Sequence, residues 1–167
     1  AAFAAGTRHR VRTTLDRAGR IAVTTAPLPE AAADVPPLRV TFADDPVDAG
    51  DRFRFHKTTH RAVYDDAYRR AGAAGFDEVL FRNERGELTE GSRTNLFVRR
   101  GDAWLTPPVA CGLLGGVYRR HLLETLPNAA ERVLRPADLA AADAVYLCNA
   151  VWGLRAAEVA AEAVEDG

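Results

Sequence analysis

Hydrophobic and polar positions alternate from Arg8 to Leu15, with Val11, Thr13 and Leu15 on one face and Arg10, Arg12 and Thr14 on the other. Asp16 to Gly19 forms a turn and Arg20 to Thr25 returns as a second strand, so this stretch reads as a β-hairpin. Residues 1–6 read as the tail of a helix stopped by Gly6. Ala26 to Pro37 carries prolines at 27, 29, 36 and 37 and is the best linker candidate. Beyond it, Leu38 to Ala43 is a short strand, Asp44 to Asp51 a polar loop, and Phe53 to Lys57 an extended aromatic and basic segment. Thr58 or Thr59 can cap a helix running to about Ala71, in which Tyr64, Ala67, Tyr68 and Ala71 share one face. Gly72 and Gly75 stop it. Strands are expected at Glu78–Arg82, Thr94–Arg99 and Ala103–Thr106, with turns at Arg85-Gly86 and Gly101-Asp102. The turn from Gly112 to Gly116 leads into a helix from Val117 to about Leu126. A strand over Arg132–Leu134, a short helix opened by Pro136, a buried strand over Ala144–Cys148 and a last strand or helix over Ala156–Val164 complete the chain. Grouped strands with a few helices between them give an α+β (mixed α/β) layout, not a regular βαβ repeat. The expected organisation is a hairpin remnant of a preceding small domain (1–26), a linker (27–37) and a main domain (38–167).

Composition narrows the picture further. The 167 residues suit one main domain of roughly 100–200 residues and need no disulfide or metal to hold a core. The formal charge of −1, with arginine and acidic residues interspersed, gives no basic stripe for nucleic acid. No apolar run reaches the roughly 18 residues of a membrane span, and no signal peptide opens the chain. Cys111 and Cys148 form neither a CxxC pair nor a zinc pattern and read as small buried hydrophobes in a reducing, cytoplasmic protein. The chain has no methionine, so residue 1 is not a translation start and a fragment or processed chain is expected.

The basic set stands apart: 22 residues, of which Lys57 is the single lysine. A guanidinium stays charged, whereas an amine can lose its proton and act as a nucleophile. Lys57 lies between aromatic residues and a capped helix, where a partly dry environment would free that amine. A spare positive charge is also badly placed at a helix N-terminus, which argues against an incidental lysine. His56 and His60 flank it at a spacing of four, but His56 precedes the cap and no third ligand is evident, so a metal is not expected. Glu90 stands in a loop between two β segments, where it could present a carboxylate to a cationic partner or be an ordinary turn glutamate. The Gly112–Gly116 turn could offer backbone N–H groups to a phosphate at the following helix start, or could simply connect two elements. The turn at Asn149-Ala150 could supply a second set of donors.

In order, Phe55-His-Lys-Thr-Thr-His-Arg61, Glu87-Leu-Thr-Glu-Gly-Ser-Arg-Thr-Asn-Leu-Phe97, Thr106-Pro-Pro, Gly112-Leu-Leu-Gly-Gly-Val-Tyr-Arg119 and Cys148-Asn-Ala150 resemble the class IV (fold-type IV) pyridoxal-phosphate enzymes. These are branched-chain and D-amino-acid aminotransferases and aminodeoxychorismate lyase. The likeness is strongest to the lyase half of fused para-aminobenzoate synthases. The resemblance implies the large domain of the D-amino-acid aminotransferase-like fold, with pyridoxal 5'-phosphate as cofactor. It implies that Lys57 forms the Schiff base and moves protons, and that Glu90 pairs with the pyridine nitrogen. Val117 and Tyr118 match the backbone pair at the phosphate, and Asn149 and Ala150 match the later phosphate-side turn. The family often has proline at Gly115, threonine at Tyr118 and, in aminotransferases, serine or threonine at Ala150; the Asn-Ala pair is closer to the lyase. The implied reaction converts 4-amino-4-deoxychorismate to 4-aminobenzoate and pyruvate, a step toward folate. The alternatives are a class IV aminotransferase and a non-catalytic fragment lacking half the site. A small-molecule substrate, a homodimer and covalent fusion to an upstream chorismate-using synthase are also implied.

Overall fold

The computed structural model describes residues 7–29 and 35–160. The expected helix tail at 1–6, part of the expected linker, and the last residues of the expected final element lie outside them. The chain divides into two compact units, residues 1–35 and 36–167.

The first unit is an antiparallel hairpin of β1 (His9–Leu15) and β2 (Ile21–Pro27), with Leu15 opposite Ile21. Asp16 builds the turn: its Oδ1 accepts from the amides of Ala18 and Arg20, and Gly19 takes φ +79°. Strand pairing places Val11, Leu15, Ile21 and Val23 on one face, all exposed.

The second unit carries β3 (Leu38–Phe42), α1 (Ala62–Ala73), β4 (Glu78–Arg82), β5 (Leu88–Gly91), β6 (Asn95–Arg100), β7 (Ala103–Thr106), α2 (Val117–Thr125), β8 (Ala129–Glu131), α3 (Pro136–Ala140), β9 (Ala144–Asn149) and β10 (Gly153–Val159). Eight strands form one mixed sheet in the order β5-β4-β3-β10-β9-β6-β7-β8. One further pairing, Glu90 of β5 opposite Asn95 of β6, closes six of these strands into a ring.

Side-chain alternation explains the layers. Val40, Leu80, Leu96, Val98 and Leu147 gather in one core cluster, joined by Leu134 and by Leu139 of α3. The opposite faces of the same strands are also apolar, which is the pattern of a sheet covered on both sides. Val79 and Phe81 pack against Ala67 and Ala71 of α1. Phe97 and Cys148 pack against Leu122 of α2. The apolar face foreseen for α1 is therefore the buried one.

Several expected elements move. Arg52–Phe55 is a 3-10 turn, not an extended segment, because the Asp51 side chain accepts the Phe53 amide at 2.9 Å and curls the backbone. Neither Thr58 nor Thr59 caps α1. Thr58 Oγ1 accepts the His60 amide in a local turn, and the helix begins at Ala62 with Arg61 before it. The strand expected at Arg132–Leu134 is instead β8 at Ala129–Glu131, set parallel to β7 after a positive-φ turn at Asn128. Leu134 lies in no strand but is fully buried in the main core cluster, and its carbonyl accepts the Leu88 amide. The last described element is a strand, β10. No helix among the described residues is long and apolar enough to cross a membrane.

Candidate functional site

The ring closure is where the chemistry collects. Glu90 is not in a loop: it lies on β5 and is only 6% exposed. Its Oε1 accepts a hydrogen bond from Tyr64 of α1 at 2.6 Å. Its Oε2 accepts from Asn95 Nδ2 at 3.4 Å, and the same amide group donates to the Leu114 carbonyl at 2.9 Å. One short network thus ties α1, β5, β6 and the glycine turn together. Burial dominates the carboxyl's ionisation and pushes its pKa up to about 7. Hydrogen bonds from Tyr64 and the Leu114 backbone, and the charges of Arg54 and Lys57, act in the opposite sense without overcoming it. The Tyr64 hydroxyl is in turn held protonated by burial and by the neighbouring carboxylate.

Lys57 is exposed, as are Phe53 and Phe55, at 40% and 37%. The expectation of a partly dry lysine between the aromatic residues and a capped helix therefore fails. The Asp51-capped turn directs both rings outward and buries Arg54 instead. Arg54 Nε donates to the Asp48 carbonyl, its guanidinium lies 5.1 Å from the Tyr64 ring centroid, and its Nη1 is buried with no hydrogen-bond partner among the described residues. Lys57 also sits five residues before α1, so it is not at a helix N-terminus, and His60 lies outside the helix. Its charge nonetheless acts on Glu90.

The glycine turn is shaped by close approaches. A Cβ on Gly116 would lie 2.2 Å from Asn95 Oδ1, so the residue before α2 must be glycine for Asn95 to reach Glu90. Gly116 gives α2 no side-chain cap, so the first-turn amides, those of Val117 and Tyr118 among them, have no acceptor within the helix. This is donor chemistry suited to an anion. Gly112 takes φ +91°, and a Cβ there would lie 2.6 Å from Ala49 Cα. Gly112→Ala is expected to destabilise the chain by on the order of 2 kcal/mol, read as a lowered urea midpoint with an unchanged slope.

Asn149 ends β9 and organises its own turn. Its Oδ1 accepts from the amides of Val151 and Trp152, and its Nδ2 donates to the Arg93 carbonyl at 3.3 Å. The amides of Val151 and Trp152, which follow the Asn149-Ala150 pair, are therefore already engaged by Asn149. Ala150 is exposed at the tip of that turn. A Cβ on Gly153 would meet the Tyr118 hydroxyl at 3.3 Å, so the turn lies beside α2.

The structure thus places Glu90 in the network that reaches the glycine turn, with the Lys57 charge acting on it, and sets Tyr118 beside the Asn149–Gly153 turn. Tyr64, Asn95 and Arg54 were missed by sequence reasoning. The only forewarning was polar residues set in otherwise apolar stretches, such as Asn95 ahead of Leu-Phe-Val. An amine, a buried carboxylate and an unfilled helix start match the aldehyde, ring nitrogen and phosphate of pyridoxal phosphate, so the residues present fit that group.

Comparison with known proteins supplies independent findings. The family model described as amino-transferase class IV matches residues 2–158. A candidate aminodeoxychorismate lyase of Schizosaccharomyces pombe is 31% identical over 117 residues, covering 69% of this chain and 50% of that protein. The crystal structure of a candidate amino-acid aminotransferase from Mesorhizobium loti superimposes with a TM-score of 0.86 at 34% identity, covering 93% of this chain and 75% of the other. A candidate 4-amino-4-deoxychorismate lyase from Legionella pneumophila gives 0.72 at 25% identity, covering 83% and 53%. The chain spans half the length of the curated relative it matches.

Proposed function

This chain belongs to the class IV aminotransferase family, and from that premise we propose that it is the cofactor-binding part of a pyridoxal-phosphate lyase acting on 4-amino-4-deoxychorismate. The observation that carries the cofactor reading is the buried Glu90 carboxyl, coupled to Tyr64, Asn95 and the Lys57 charge beside an uncapped helix start. When bound, pyridoxal phosphate supplies an aldehyde for the amine and a protonated ring that accepts an electron pair. Lys57 would hold the aldehyde carbon, and its freed amine would then take the proton from the substrate carbon and return it. Glu90 would keep the proton on the ring nitrogen. The amides of Val117 and Tyr118, with the Asn149-Ala150 turn, would hold the phosphate. Loss of pyruvate leaves an aromatic 4-aminobenzoate, which makes elimination strongly downhill, so proton placement is the main demand on the protein.

The lyase reading is supported by the S. pombe relative and by Ala150, which puts no hydroxyl at the tip of the Asn149 turn. A class IV aminotransferase is the second reading, favoured by the M. loti likeness. In the full-length protein, pyruvate is expected to form from aminodeoxychorismate with no keto-acid acceptor present. Product formation that requires an acceptor would overturn the lyase reading in favour of the transaminase. The fold, the two buried free cysteines and the family are consistent with a cytoplasmic homodimer in folate precursor synthesis, which is part of the same proposal.

A further inference from the structure

Glu78 opens β4 and is fully buried, yet no ion pair reaches it among the described residues. A carboxylate removed from water needs compensation worth several kcal/mol, by order of magnitude. Five donors provide it. Oε1 accepts from the Val79 amide at 3.0 Å, the Ser92 amide at 3.0 Å and the Ser92 hydroxyl at 2.5 Å. Oε2 accepts from the Arg93 amide and the Thr94 hydroxyl, both at 3.3 Å. Four of the five come from Ser92–Thr94, the turn that joins β5 to β6.

That turn touches the other parts of the candidate site. The Ser92 carbonyl accepts from Arg61, just before α1, at 2.8 Å. The Arg93 carbonyl accepts from Asn149 at 3.3 Å. Glu90 stands two residues before the turn, and Asn95 follows it directly. Gly91 is forced by the same packing: a Cβ there would lie 3.2 Å from Glu78 Cγ and Cδ and 2.2 Å from Thr94 Oγ1.

We propose that Glu78 is a positioning residue whose carboxylate pins the Ser92–Thr94 turn and thereby sets where Glu90, Asn95 and Asn149 present their polar atoms. It touches neither cofactor nor substrate and acts through Glu90, so its role toward the ring nitrogen rests on the function proposed above. Glutamine at this position keeps the size and one acceptor but turns a donor toward the Arg93 amide.

The test uses Glu78→Gln in the full-length protein, with Ser92→Ala, which removes one hydroxyl donor, as the milder variant should Glu78→Gln not fold. In the cofactor-free protein, the pH midpoint of Glu90 ionisation is measured by carbon-detected NMR. The groups that act on Glu90 are Tyr64 and Asn95, which hydrogen-bond to it, and the charges of Arg54 and Lys57, and none of them is altered. A shift of that midpoint relative to wild type is expected; an unchanged midpoint overturns the proposal. In the loaded protein, the variant is expected to lose about tenfold or more in kcat with a smaller change in KM. The pH titration of the bound cofactor's absorbance is expected to shift with it. In a Glu90→Gln background, Glu78→Gln is expected to add little further loss; a full additive loss would mean a merely structural role and overturn the proposal. Failure of wild type to take up pyridoxal phosphate sinks the functional reading alone, because the cofactor-free titration still decides the role of Glu78.

Discussion

Lys57→Ala in the full-length protein is expected to lower kcat by roughly 10²–10⁴-fold, the usual worth of a positioned acid–base group, with added loss from the missing covalent link. Steady-state kinetics at saturating pyridoxal phosphate measure it. Lys57→Arg should be no better, because it keeps the charge and loses the titratable amine. The exposure of Lys57 makes this prediction sharper. An exposed lysine contributes little to packing, so both variants should unfold at nearly the wild-type temperature. The loss would then be chemical, and a small primary amine added to Lys57→Ala should restore part of the rate. Equal activity of wild type and Lys57→Ala would remove the lysine from the mechanism.

Glu90→Gln is expected to move stability and activity in opposite directions. Folding raises the pKa of this carboxyl from 4.5 to about 7. The folded state therefore holds a proton that the unfolded state releases between those values. Stability accordingly falls as pH rises through that window, and above about pH 7 the full cost of burying the charge is present. The cost is about 3 kcal/mol at most, from the size of the shift. Glutamine carries no such charge. The cofactor-free variant should match wild type near pH 4 and exceed it at pH 8 by up to that amount, as read from denaturant unfolding at the two pH values. The same change removes the group proposed to keep the ring nitrogen protonated. Turnover is expected to drop by about 10²–10³-fold, the scale of losing one preorganised electrostatic partner. A variant that is less stable at pH 8 and fully active would contradict both halves of the argument.

Local signals carried much of this. The hairpin followed from alternation and an Asp-to-Gly turn, the buried face of α1 from its spacing, and the uncapped start of α2 from its glycines. Signals that depend on partners distant in sequence were not legible. Glu90 looked like a loop residue because a carboxylate between Thr89 and Gly91 has no strand signature. Only its pairing with Asn95 and the Tyr64 hydroxyl, 26 residues away, make a buried strand position tolerable. Lys57 was expected to be partly dry because it stands between Phe53 and Phe55 on one side and an expected capped helix on the other. A single side-chain bond from Asp51 turns those rings outward and puts Arg54 inside. Glu78 was passed over as the first residue of an apolar strand. Its meaning lies in the Ser-Arg-Thr stretch 14–16 residues later, which carries most of the donors it needs.

The proposed chemistry depends on Lys57 being the amine that holds pyridoxal phosphate. It is tested most directly by adding the cofactor to the full-length protein, reducing with borohydride and mapping the fixed group by peptide mass spectrometry. A yellow protein and a reduced phosphopyridoxyl group on the peptide containing Lys57 are expected. A colourless protein with no adduct, or an adduct on another amine while Lys57 is unmodified, would contradict it.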